Sequence, residues 1–127
     1  MAKYHFTRRA LNDLLEIWDY TVEEWSENQA EKYYNLIIAS CMDLANNPKL
    51  GKSYEIIALN ILGYRCGEHI IFYREISINE IEIVRILHSM MTPKLIMACL
   101  FAHLNLSGQL RTRQGSADFT EGFTTAL

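Results

Sequence analysis

Cysteine is scarce in this 127-residue chain, basic charge is not in excess, and no apolar run is long enough to cross a bilayer. Cys41, Cys66 and Cys99 are odd in number, far apart and free of CxxC spacing, which argues against a disulfide framework and a structural zinc site and favours buried or incidental thiols. His5, His69, His88 and His103 show no metal-ligand spacing, so neither a metal nor a cofactor is expected. Residues 1–92 hold nine Lys/Arg against thirteen Asp/Glu, a balance of −4, and the whole chain carries −3. A protein that gains affinity by neutralising phosphates shows a basic stripe; its lack argues against direct sequence-specific nucleic-acid binding. The longest apolar run, Leu95 to Leu106, is too short for a membrane span. The start, Met1 to Arg9, lacks the uncharged core of a signal peptide, and the expected compartment is the cytoplasm.

Half of the residues are apolar and 21% are charged, enough for one domain with a buried core. Tyr4-His5-Phe6 is a short β-prone piece, and Thr7 is a good N-cap for a helix from about Arg8 to Trp25. Ala10, Leu11, Leu14, Ile17, Trp18, Thr21, Val22 and Trp25 recur at helical spacing, while Asn12, Asp13, Glu16, Asp19, Glu23 and Glu24 fall on the other side. Leu15 widens the apolar arc to roughly 160°, more than one flat contact needs. Ser26-Glu27-Asn28-Gln29 reads as a capping box opening a second helix, whose stripe runs Ala30, Tyr33, Tyr34, Ile37, Ile38, Cys41, Leu44 and Ala45. Asn46-Asn47-Pro48 stops it, because proline cannot continue the backbone ladder. With only cap residues between them, the two helices form an αα-hairpin.

Beyond Lys49 the pattern changes. Gly51 and Gly63 punctuate a non-helical stretch in which Ile56 to Leu62 leads to three strand-like runs: Tyr64–Cys66, His69–Ile76 and Ile81–Leu87. Ser77-Ile78-Asn79-Glu80 reads as a four-residue hairpin loop. In the last run, alternation puts Ile81, Ile83, Arg85 and Leu87 on one face and Glu82, Val84, Ile86 and His88 on the other. Apolar residues on both faces predict a central strand covered twice. The predicted fold is α+β: a short N-terminal strand, an αα-hairpin, then a three-stranded, mainly antiparallel sheet.

This order, with Tyr4, Phe6, Thr7, Ala10, Leu14, Ile17 and Tyr20-Thr21, resembles the RelE/ParE toxin superfamily. Ala30, Tyr33, Leu44-Ala45-Asn46-Asn47-Pro48 and Gly51-Lys52 are similar to its second helix and closing loop. Most specific are Tyr64-Arg65, His69-Ile70-Ile71-Phe72-Tyr73-Arg74 and Ile83-Val84-Arg85-Ile86-Leu87-His88, of the kind shown by the ParE branch. The resemblance covers residues 4–91 and implies the toxin of a type II toxin–antitoxin pair, neutralised in a hetero-oligomer by a ParD-like antitoxin whose C-terminal segment folds as it wraps the toxin. The wide apolar arcs suit such a guest helix, and Leu11, Leu15, Trp18, Val22, Tyr34 and Ile38 are the candidate contacts. The alternative is that these side chains pack within their own domain.

Two toxin chemistries follow from the resemblance: RelE-like members cut messenger RNA on the ribosome, and ParE-like members poison DNA gyrase. RNA cleavage needs a general base, an acid and cations around the phosphorane, for which Arg65, Arg74, Arg85 and His88 are candidates, assisted by Glu68 or His69. The ordinary alternative for the arginines is an ion pair with Glu55, Glu75, Glu80 or Glu82, and for His88 a backbone hydrogen bond. The lysine-rich loop and C-terminal tyrosine of the RelE branch have no match; no tyrosine follows Tyr73. The expected mode is therefore inhibition of gyrase by binding, without enzyme activity, with Arg74, Arg85 and His88 toward the target. The remaining alternatives are the endoribonuclease and a non-toxic interaction-only relative.

The resemblance sets residues 1–92 apart as the toxin domain and 93–127 as an atypical tail. Its first part, 94–106, reads as a helix that is apolar nearly all round; Ser107 to Leu127, rich in Gly, Ser and Thr, reads as loose. The tail could fill the antitoxin groove, mediate self-association, or be an extension foreign to the family.

Overall fold

The computed structural model describes residues 2–54 and 60–107, with side chains to residue 100. Glu55, the first part of the Ile56–Leu62 stretch and the polar end of the tail lie outside the described residues. The chain runs β1 (Lys3–Phe6), α1 (Arg8–Glu24), α2 (Glu27–Asn46), a 3-10 turn (Pro48–Leu50), β2 (Lys52–Ser53), β3 (Leu62–Cys66), β4 (His69–Ser77), β5 (Glu80–His88) and α3 (Pro93–Ser107). The α+β class is as expected, but the sheet has five strands in the order β1-β5-β4-β3-β2. β1 joins β5 in parallel, pairing Lys3 with Glu80 and Phe6 with Ile83, and the other neighbours are antiparallel. β2 is two residues long, below the length at which alternation can show.

Caps set the helical hairpin. Thr7 Oγ1 accepts from Ala10 N at 3.0 Å and donates to the Val84 carbonyl at 2.9 Å, so one hydroxyl starts α1 and ties it to β5. Ser26 Oγ accepts from Gln29 N, but the reciprocal half of the expected capping box is missing: the Ser26 N–H donates to the Thr21 carbonyl. Trp25, expected on the apolar stripe, is 74% exposed as the residue that ends α1.

The sheet is covered on both faces. Phe6, Leu11, Leu14, Ile37, Cys41, Leu44, Ile71, Tyr73, Ile81, Ile83 and Ile86 form the core between hairpin and sheet. Ile61, Phe72, Val84 and Leu87 meet Ile96 and Leu100 of α3 on the opposite face. Each fully buried side chain of this size contributes about 1.5–3 kcal/mol.

Strict alternation fails within β5. Phe72 pairs with Arg85 but Tyr73 with Ile83, so Val84 is an extra residue, and beyond it the faces exchange. Ile86 therefore packs toward the hairpin and Leu87 toward α3, the reverse of the expected assignment. The β4–β5 loop is also tighter than expected: Ser77 pairs with Glu80, and Asn79 takes a φ of 61° to close the turn.

Candidate functional site

The outer side of the helical hairpin divides the six candidate contact residues. Leu11 is 3% exposed and belongs to the core, so its side chain is not available to a partner. Leu15 is 45% exposed, and Trp18, Val22, Tyr34 and Ile38 are half-buried. Spacings of three and four residues put Leu15, Trp18 and Val22 on one side of α1, and Tyr34 and Ile38 on one side of α2. Trp18 and Tyr34 meet edge to face with centroids 6.3 Å apart, joining the two rows. The result is an apolar ridge with its base on the core and its crest in solvent.

A second cluster sits where the β3–β4 turn meets the end of β5. Tyr33 reaches from α2 so that its hydroxyl accepts from Glu68 N at 2.9 Å and lies 3.1 Å from the Cys66 carbonyl and 2.7 Å from His69 Nδ1. The turn beneath it needs Gly67, at φ 59°, because a Cβ there would stand 2.5 Å from the Tyr33 ring. The His69 and His88 rings pack edge to face at 5.2 Å. Burial, and then the neighbouring His88 charge, push the His69 pKa down to about 4, so His69 is neutral at pH 7. His88 is exposed, and its Nδ1 accepts from Met90 N at 3.1 Å, the backbone bond that was the ordinary alternative for it.

Of the three candidate arginines, Arg74 and Arg85 are bonded away from these histidines, and Arg65 stands at the turn beside them. Arg74 donates to Glu82 Oε1 at 2.9 Å, and Glu82 is only 1% exposed. Arg65 turns back on its own strand end, Nε donating to the Gly67 carbonyl at 2.7 Å. Arg85 makes a bidentate contact with Asp13, Nε to Oδ2 at 2.7 Å and Nη2 to Oδ1 at 2.9 Å. Burial works against the Arg85 charge, but the Asp13 hydrogen bonds and charge outweigh it and hold its pKa above the ordinary value. Asp13 was not among the partners expected for any arginine. Grouped with the polar side of α1, it is 8% exposed and faces β5. Its spacing from Ala10 and Ile17 is that of the buried stripe, the signal that could have revealed it.

Among the described residues, no group of three or more His, Cys, Asp or Glu could hold a metal ion, and no helix is long and apolar enough to cross a membrane. The histidine cluster has two imidazoles and a phenol, with Arg65 at the adjoining turn, while Arg74 and Arg85 are bonded to Glu82 and Asp13. The apolar ridge, in contrast, keeps Leu15 exposed above half-buried Trp18, Val22, Tyr34 and Ile38.

Residues 4–93 match the model of the ParE toxin of type II toxin–antitoxin system, parDE. Toxin ParE1 of Caulobacter vibrioides is 32% identical over 94 residues, covering 74% of this chain and 96% of that protein. Toxin ParE1 of Mycobacterium tuberculosis is 32% identical over 90 residues, covering 71% and 92%. A chain from a solved structure described as the chromosomal ParDE TA system from P. aeruginosa superposes with a TM-score of 0.59 at 22% identity, over 69% of this chain and 95% of that one. At that identity the structural likeness speaks for the fold, while the sequence matches carry the family assignment: the chain belongs to the ParE toxin family of type II toxin–antitoxin systems.

Proposed function

We propose that this chain is a growth-inhibiting toxin that acts by binding DNA gyrase rather than by cutting RNA, and that a ParD-like antitoxin neutralises it in a hetero-oligomer. The observation that supports the binding mode is the commitment of Arg74 and Arg85 to buried carboxylates, which leaves the exposed Arg65, at the β3–β4 turn, as the one candidate arginine beside the histidine cluster. An acid–base pair with a single exposed arginine nearby is short of the charge stabilisation that is usually the largest contribution to such a reaction. Family membership supports the gyrase reading by analogy.

The antitoxin's place is the ridge of Leu15, Trp18, Val22, Tyr34 and Ile38, where an amphipathic helix can lay its apolar side. Leu11 drops out as a contact and acts from beneath as support. On the target side, His88 is exposed, whereas Arg74 and Arg85 serve chiefly to hold β4, β5 and α1 together.

Induced expression tests the reading. Growth arrest should follow induction and be relieved by co-expression of the small protein encoded in the adjacent reading frame. Unimpaired growth would favour the interaction-only relative instead.

A further inference from the structure

The apolar ridge of the helical hairpin is bordered by carboxylates. From Glu16 to Glu31 the chain carries six acidic residues, Glu16, Asp19, Glu23, Glu24, Glu27 and Glu31, and no lysine or arginine. All six are exposed, and among the described residues none of them takes part in an ion pair. Helical spacing decides where they stand. Asp19 follows Leu15 by four residues, Glu23 follows Asp19 by four and Glu16 precedes it by three, so these three form a row on α1 next to Leu15, Trp18 and Val22. On α2, Glu27 and Glu31 are four apart and Glu31 precedes Tyr34 by three, which sets a second acidic row beside Tyr34 and Ile38. Because Trp18 meets Tyr34, the apolar residues of both helices lie between the two rows. Glu24 differs: it falls about half a turn round α1 from Leu15, on the opposite side. The bases of the hairpin stand apart from this stretch. Arg8 and Arg9 open α1, about 15 Å along its axis from Trp18, and Lys32, two residues before Tyr34, faces another way.

We propose, resting on the antitoxin reading above, that the helix laid on this ridge is cationic, with Lys or Arg on both shoulders of its aliphatic stripe, opposite Asp19 and Glu23 on one side and Glu27 and Glu31 on the other. Unpaired like charges this close repel one another in the free chain, and a guest of opposite sign relieves that repulsion. The apolar ridge supplies contact area, and the carboxylates act on the encounter, since rim charges govern association rate and salt dependence more than the lifetime of the complex. They also select. An amphipathic helix with acidic shoulders would bring its own charge against both rows and be rejected, although its apolar stripe alone would fit.

The test uses the full chain and the small protein encoded in the adjacent reading frame, with association and dissociation rates measured separately. Between about 0.05 and 0.5 M NaCl the association rate should fall at least about tenfold while the dissociation rate changes less. Glu23→Lys and Glu24→Lys alter the net charge equally from neighbouring positions, so together they separate a local contact from the field of the whole molecule. Glu23→Lys should bind at least about fivefold more weakly, and Glu24→Lys within about twofold of the parent. An association rate that is indifferent to salt or rises with it, a Glu23→Lys chain that binds as well as the parent, or equal weakening by both variants overturns the proposal. If Glu23→Lys does not fold, the double variant Asp19→Asn, Glu23→Gln takes its place and should show a shallower salt dependence than the parent; an unchanged one overturns the proposal. If no complex forms, the antitoxin reading fails and the cationic helix with it; if a complex forms without these charge effects, only the cationic helix fails.

Discussion

Asp13 on α1 and Arg85 on β5, 72 positions apart in sequence, meet at the point where β1 runs out along the edge of β5. Asp13 Oδ2 also accepts from Ile86 N at 3.0 Å, so one carboxylate answers both a guanidinium and the backbone donor that β1 is too short to reach. Removing it takes the counter-charge from a partly buried cation and leaves a buried N–H unpaired. Asp13→Ala should therefore lower stability by about 3 kcal/mol, read as a lower urea midpoint at unchanged m-value. Asp13→Asn, which can still accept from Ile86 N, should cost less.

Tyr33 and Gly67 depend on each other. Tyr33→Phe removes the hydroxyl that serves the exposed Glu68 N and should cost about 0.5–1.5 kcal/mol in chemical unfolding. Gly67→Ala should cost at least as much, because it combines a positive φ with a clash against the Tyr33 ring. In a Tyr33→Ala background the clash is gone, so the glycine substitution should be milder there; equal costs in both backgrounds would contradict the packing account.

His69 makes stability depend on pH in a known direction. Its folded pKa of about 4 lies below the ordinary 6.5, so the unfolded chain binds the extra proton first. The stabilisation is fully present above 6.5 and is lost as pH falls toward 4. Allowing for partial solvent exposure of the ring, the loss should be about 2 kcal/mol, and His69→Gln should remove that part of the slope in thermal or urea unfolding between pH 7 and 4.

Leu11 and Leu15, one turn apart on α1, separate folding from binding. Leu11→Ala should cost about 2–5 kcal/mol of stability, as a cavity in the core does. Leu15→Asp should shift stability by less than about 1 kcal/mol yet weaken the antitoxin complex at least tenfold, measured by calorimetric titration. Both variants binding equally well would remove the ridge from the interface.

The helices were legible because their apolar periods are long and their caps, Thr7 and Ser26, are local chemistry. The central, twice-covered place of β5 was legible from apolar residues on both its faces. The parallel pairing of β1 with β5 was not, since nothing in Tyr4-His5-Phe6 names a partner more than seventy residues away. The extra residue at Val84 was equally hidden: a bulge appears only when two strands are laid together, yet it decides which way Ile86 and Leu87 point. At the candidate site, residue type misled. Asp13 was grouped with the solvent side because it is acidic, whereas its stripe position makes it the partner of Arg85. Leu11 and Leu15 looked alike until the arc was divided by what lies beneath it.

The central claim, a toxin that binds gyrase and does not cut RNA, is tested most directly by adding the purified chain to purified DNA gyrase, ATP and relaxed plasmid, with a parallel translation reaction to follow messenger RNA. The account predicts loss of supercoiling with accumulation of cleaved DNA, and intact message on the ribosome. Unchanged supercoiling together with ribosome-dependent cleavage of the message would contradict it.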